Sequence, residues 1–581
     1  MSCLAALSSR LVSYLKVSFI FGLFSGADNE DSKLREGMVG NLVSRAGLKN
    51  RVFKPVKRFF AESVEDSYAV SLYRRMVAAL LETPLNSYGA FFITLGLLMT
   101  VTYFFKVIAV GVETPESYEL VTAAVTVFFS LLLFFSRKSL ATVLSESFIF
   151  RCAASSVVDL SAYTSPDRVQ KLRTGGMPFI LGILIGAITY FTGALNVILI
   201  FAIGILAAAI LYSPEFGVLL LVFAFPFMDS VFIELVILFC VVSYILKVLR
   251  GKRNFKLGAA DVFVLIFGLY LLFEGNLSES NGHYHIAAII VCFLIENLFV
   301  TKALMRKFIS FASVGVFVSA LMGVEQLYTA DALTTLESVL RVISTGFGEA
   351  VQYAAYLVVM LPLLYSSIAM SKSAGIKFLG LILATLCVGF IVINGNPLLC
   401  LMVAVSGFVF LVLGTKRIFM SAVLCLGVPA AVLYFLGTSF EVAVTWLLGK
   451  MSLWSNVLSN ASAFPFFGVG TSSAATSELL GGKDSGSAFL QILAEGGIVA
   501  LLLFLIAVVL LSRRTLSNVG ECGTFERWTV SGTAAACVAI LVLAMFSDIW
   551  DSHKLCFCFW FCFGTAGAAF RTRHRVAEMK E

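Results

Sequence analysis

The sequence predicts an all-α polytopic membrane protein with roughly 14–16 transmembrane helices and a long, partly helical outer loop before the helix near 488–511. Three observations predict it. Apolar residues make up 59% of the chain and charged residues only 13%, where a soluble domain carries about 25% charged residues. Apolar runs close to the ~20 residues that cross a bilayer recur along most of the length. Lys and Arg cluster in alternate loops between those runs, the charge bias that orients membrane proteins. The mean hydropathy of +0.95 agrees.

The chain divides into four segments on this reading. Residues 1–87 are a cytoplasmic basic and amphipathic region. Its residues 11–25 are apolar but interrupted by Lys16 and read as a surface-lying helix. Arg45, Lys49, Arg51, Lys54, Lys57 and Arg58 form a cluster that suits anionic headgroups and a solvated arm equally. Nothing at the start resembles a cleavable signal. Residues 88–175 are a transmembrane hairpin with a cytoplasmic loop, 176–511 a transmembrane core with outer loops 329–349 and 438–487, and 512–581 a second hairpin with a basic tail. The spans are expected near 88–111, 119–136, 178–194, 196–213, 215–228, 230–249, 260–275, 285–300, 308–328, 350–371, 377–394, 397–414, 418–437, 488–511, 527–548 and 554–570, with 215–228 short enough for a half-span.

Placing the N-terminus inside makes every inner loop basic: Arg137 through Arg173, Arg250 through Arg253, Lys302 through Lys307, Lys372 through Lys377, Lys416-Arg417, Arg513-Arg514 and Arg571 through Arg575. Both termini are then cytoplasmic. The net charge of +7 is thereby a topology signal rather than a nucleic-acid one. Only Arg341, Lys450, Lys483 and Lys554 face outward, three of them in the two long outer loops. A cation placed against the bias points to an anionic ligand. Lys106, Glu234, Asp261, Glu296 and Glu325 fall in or near spans; most lie near helix ends, where headgroup contact satisfies them, and Glu325 stands out beside Gln326 and the first long loop.

Motifs of soluble enzymes are missing. Gly482-Lys483 is followed by Asp484 and no Gly stands at the required earlier position, so there is no Walker A, and there is no HExxH or GxSxG triad context. His283 and His285 flank Tyr284 without a third ligand and read as structural. The 12 Cys show no metal spacing; Cys556, Cys558 and Cys562 lie in a Phe-rich run and read as helix packing, and no structural disulfide is expected. Neither metal nor cofactor is implied.

The two outer loops carry a pattern. The first runs Gly323-Val324-Glu325-Gln326, then Arg341-Val342-Ile343-Ser344-Thr345-Gly346-Phe347-Gly348. The second runs Gly449-Lys450-Met451-Ser452-Leu453-Trp454, then Phe464-Pro465-Phe466-Phe467-Gly468-Val469-Gly470, then Ser487 through Gln491, Glu495, Gly496 and Gly497. In order and spacing over roughly 180–511 this resembles the O-antigen ligase and O-antigen polymerase superfamily of bacterial envelope enzymes.

The resemblance implies a metal-independent, inverting transfer of a glycan from a polyprenyl-diphosphate donor to an acceptor hydroxyl, on the outer face of the bacterial cytoplasmic membrane. The partners are then the lipid-linked glycan, an acceptor glycan or envelope component, and membrane lipids. It implies that Arg341 contacts the diphosphate, with Lys450 where the family has Arg, Trp454 at the aromatic position, Gly468 and Gly470 in the turn, and Gln326, Gln491 and Glu495 as further members of the binding site; Glu325 joins them from its place beside Gln326 rather than from the resemblance. The family's His would fall at or near Gly486 and is absent; Asp484 and Glu349 are the candidate catalytic replacements. The family's second Arg is replaced by Gly395-Asn396-Pro397. A flippase of lipid-linked glycans and a non-catalytic relative that binds such lipids or scaffolds an assembly are the rival readings. Ligase and polymerase are not separable from sequence.

Overall fold

A computed structural model describes residues 59, 62–63, 67–109, 117–147, 176–250, 253, 259–274, 282–329, 344–415, 417, 420–421, 423, 440–460, 466–470, 478, 480, 485–516 and 523–578. The expected surface helix at 11–25, the basic cluster at 45–58 and the expected span at 418–437 lie outside these residues. Among the described residues the regular structure is helical: α1 (Tyr68–Glu82), α2 (Leu85–Ala109), α3 (Ser117–Phe134), α4 (Leu140–Glu146), α5 (Met177–Thr192), α6 (Ala194–Tyr212), α7 (Pro214–Ala224), α8 (Ser230–Leu249), α9 (Ala259–Glu274), α10 (Gly282–Leu298), α11 (Lys302–Thr329), α12 (Ala350–Met370), α13 (Ala374–Ile393), α14 (Pro397–Thr415), α15 (Phe440–Ser459), α16 (Ala488–Leu516), α17 (Thr524–Phe546) and α18 (His553–Glu578). Ten of these are long and apolar enough to cross a membrane, and five more are shorter apolar helices. The chain is an all-α polytopic membrane protein. The half-span expected at 215–228 is α7, whose 11 residues rise about 16 Å. The helical part of the second long loop is α15.

The described residues form two compact units, one within 58–216 and one within 217–581. In the first unit α2 pairs with α3 and α5. Gly89 sits against the backbone of Phe134, and Gly182 against Thr94 and the Phe91 carbonyl. Such small residues let helix backbones approach where water exclusion gives no drive. Leu95, Met99, Ala123, Ala194 and Val197 form its core. The Lys106 ammonium reaches Glu119 at 3.5 Å, so this charge is paired within the protein.

In the second unit α12, α17 and α18 are the most enclosed spans. The α18 run Cys556–Phe563 is wholly buried, and Gly564 lies against the Cys292 backbone of α10. His285 is buried against Trp550, with ring centroids 4.7 Å apart, which accords with a structural role.

The second unit holds a closed ionic network. Asp261 on α9 and Glu296 on α10 are each 1% exposed, and each carboxylate meets both Arg514 of α16 and Arg571 of α18. Arg514 lies 3.2 Å and Arg571 3.1 Å from Asp261; Arg571 lies 2.7 Å from Glu296. Arg571 Nη1 also donates to Asn297 Oδ1 at 2.7 Å, and Arg514 lies over the Phe570 ring. The headgroup reading of Asp261 and Glu296 is therefore corrected: burial strips them of solvent, and two guanidiniums within contact distance replace it. Lys302 pairs with Glu526 near the starts of α11 and α17. These contacts gather the α9, α11 and α17 starts and the C-terminal parts of α10, α16 and α18 at one end of the bundle, the parity that the basic loops predicted.

Removing one member strands the others. Glu296→Ala is expected to lower stability by about 3–5 kcal/mol, read by thermal unfolding in detergent. Lys138→Ala, which breaks the half-exposed pair with Glu146 at 2.5 Å, is expected to change it by less than about 1 kcal/mol.

Candidate functional site

The opposite end of the second unit is where α8, α10, α12, α16 and α18 begin and α9, α11 and α17 finish. There α16 is broken. Gly497 has φ 67° and ψ −170° inside the helix, a region that favours glycine. The break frees carbonyls, and a nearby segment takes them up: Val469 N–H donates to Ala494 O and Gly470 N–H to Glu495 O, both at 3.0 Å. Tyr270 Oη donates to Gly496 O at 2.9 Å. A backbone break at membrane depth persists only where such partners are supplied. The approach is so close that a Cβ on Gly468 would overlap the Glu495 carbonyl, and one on Gly497 the Phe466 carbonyl. The two glycine motifs quoted from sequence are thus each other's binding partners.

Just before the break, Gln491 and Glu495 occupy one face of α16, four residues apart. They are 3% and 4% exposed. Gln491 Nε2 donates to Glu495 Oε1 and to Asp551 Oδ1, each at 2.9 Å. Gln491 Oε1 is buried without a hydrogen-bond partner among the described residues, an acceptor that favours a donor from a ligand. Asp551 is exposed. Asp548 accepts from Ser485 Oγ and, at 2.9 Å, from Gly486 N–H. Trp454 of α15 donates to Gly486 O at 3.2 Å and packs on Phe546. Lys450 lies one turn earlier on the same face of α15.

Gly486 has φ +71°, and a Cβ there would lie 3.1 Å from Leu453. A histidine at this position would be strained and crowded. Asp548 holds the peptide at this position through the Gly486 N–H.

Gln326 organises the end of the first long loop. Its Oε1 accepts from the N–H groups of Ser344 and Thr345, both at 3.1 Å, and Thr345 has φ 40°. Phe347 follows and places its ring 4.9 Å from the Lys554 ammonium. Glu349 is exposed and accepts from Gln352 Nε2 at 3.2 Å, while Gln352 Oε1 accepts from Ser552 Oγ at 2.7 Å. Glu325 is exposed.

The structure therefore brings Gln491, Glu495, Trp454 and Gly486 to one cluster. It links Glu349 to that cluster's Asp551-Ser552 segment through Gln352. Arg341 and Asp484 lie outside the described residues. Sequence reasoning concentrated on the two long loops and missed the short one, 547–554. That loop reads Ser547-Asp548-Ile549-Trp550-Asp551-Ser552-His553-Lys554, a dense polar run between two apolar helices, and its density was the available signal. No group of three or more metal-ligating side chains occurs among the described residues. Compared with known proteins, the chain matches no family model and no curated sequence.

The glycine contacts give a test. Gly497→Ala is expected to lower stability by about 1–3 kcal/mol from backbone strain, and Gly468→Ala to lower it because its Cβ would overlap the Glu495 carbonyl, both read as a lowered thermal midpoint. Gly204→Ala, with open space around it, is expected to leave the midpoint unchanged or raise it.

Proposed function

We propose that this chain is a glycan ligase or polymerase of the bacterial cytoplasmic membrane, a divergent relative of the O-antigen ligase and polymerase superfamily. It uses a polyprenyl-diphosphate-linked donor and an acceptor hydroxyl on the outer face, with both termini cytoplasmic. The observation that carries this reading is the pairing of the Phe466–Gly470 turn with the Glu495–Gly497 helix break. Two motifs that define the resemblance in sequence form one polar-lined structure at the end where the outer loops were expected.

The chemistry is a single displacement. The acceptor oxygen attacks the anomeric carbon, the bond from that carbon to the diphosphate oxygen breaks, and the diphosphate leaves with the electron pair, inverting the centre. The acceptor's proton passes to a carboxylate. Asp551 suits this role, being exposed, oriented by Gln491 and close in sequence to Asp548 on the peptide where the family's His is expected. Gln491 Oε1 is an acceptor for a sugar hydroxyl. Arg341 and Lys450 neutralise the departing diphosphate, so no metal is required.

The test is glycan transfer in proteoliposomes containing a polyprenyl-diphosphate oligosaccharide and acceptor. Asp551→Asn is expected to lower kcat by about 10²–10⁴-fold with little change in expression or thermal midpoint, and Arg341→Ala to reduce kcat/KM. Transport of the lipid-linked glycan across the bilayer without a new glycosidic bond would instead make the protein a flippase.

A further inference from the structure

Lys554 opens α18, half-buried at the same end of the bundle as the polar cluster. Its Nζ donates to Pro226 O at 3.2 Å and lies over the Phe347 ring. No carboxylate comes within ion-pair distance of it among the described residues. Asp229 is near enough in space for its charge to act on the ammonium, but its carboxylate accepts from Ser230 N–H at 2.9 Å as the N-cap of α8 and makes no contact with Lys554. An ammonium at the end of a membrane helix with no carboxylate in contact still has room for a directly bound anion.

Lys554 lines a cleft between α8, α10 and α18. Beyond the ammonium the walls are apolar, made by Ile233, Ile237, Ala288 and Phe557. Tyr284, His553, Glu234 and Ser230 supply the other polar groups. Glu234 shares the cleft and forms no contact ion pair with Lys554. A free phosphate ion gains nothing from the apolar walls, and an uncharged lipid gains nothing from the ammonium. A lipid carrying a phosphate uses both, the head at Lys554 and Tyr284 and the chain along Ile233, Ile237 and Phe557.

We propose that the cleft between α8, α10 and α18 is a binding site for a lipid-borne phosphate, with Lys554 as its anion contact. The proposal rests on the glycan-transfer reading only in naming the donor's own phosphate as the natural occupant.

The experiment uses the full chain in phosphatidylcholine nanodiscs and a diazirine-bearing alkyl phosphate, displaced by farnesyl phosphate, farnesol or inorganic phosphate. Farnesyl phosphate is expected to displace the probe at least about ten-fold better than farnesol, an amount typical of one charge-assisted contact, and inorganic phosphate is expected not to compete. Lys554→Gln is expected to weaken binding at least about ten-fold and Lys554→Arg to restore it. In the wild-type protein the adducts should map to Ile233, Ile237 or Phe557, a readout that needs no variant to fold. Adducts elsewhere, or binding unchanged in Lys554→Gln, overturn the site. Competition by inorganic phosphate equal to that of farnesyl phosphate overturns its lipid character. Loss of the transfer reading with Lys554-dependent binding intact would overturn the proposed function and leave this site standing.

Discussion

Two arginines and two carboxylates closed on one another inside a helical bundle set the terms for the rest of this structure. Asp261, Glu296, Arg514 and Arg571 come from four helices, and each carboxylate touches both guanidiniums. None can leave without exposing the others unpaired to an apolar interior. The network therefore fixes which ends of α9, α10, α16 and α18 meet. With those ends fixed, the polar residues of the opposite ends must also converge. Gln491 and Arg514 lie on the two sides of the break in α16, and the 17 residues from Gly497 to Arg514 alone rise about 26 Å. One helix thus carries a structural charge cluster near one surface and a polar site near the other.

That second end is built from interruptions. The helix break at Gly497, the short α7 ending near Pro226 and the turn after Gln326 each free backbone groups. Each is answered locally: by the Gly468–Gly470 peptides, by the Lys554 ammonium, and by the Gln326 amide taking two N–H groups. Irregular backbone at this depth must be satisfied by protein, and the groups that satisfy it become the walls of the site. The loop 547–554 ties these walls together, with Trp550 donating to Ala488 O, Asp551 accepting from Gln491, and Lys554 reaching Pro226.

The fold was legible because hydropathy and loop charge each constrain a membrane chain strongly. The apolar runs located the described spans, and the basic loops gave the relative parity that the ionic network requires. Gly468, Gly470 and Gly497 were legible as motif members, though their reason, a close backbone contact between distant segments, is a tertiary fact. The roles of Asp261 and Glu296 were not legible. A carboxylate near a helix end looks the same in sequence whether it meets headgroups or a buried guanidinium, and only packing separates the two. Asp548 and Asp551 were missed for a related reason. Loop length drew attention to 329–349 and 438–487, whereas a six-residue connection between buried helices, 547–552, holds its polar groups more rigidly than a long loop does.

On the proposed reading the polar cluster and the ionic network face opposite sides of the membrane, with the cluster outside. Single cysteines introduced at Asp551 and Arg253, both exposed, measure this directly in sealed right-side-out vesicles treated with a membrane-impermeant maleimide, against the parent chain as baseline. The account predicts labelling of Asp551→Cys in intact vesicles and of Arg253→Cys only after permeabilisation. Labelling of both positions from the outside, or the reverse pattern, would contradict it.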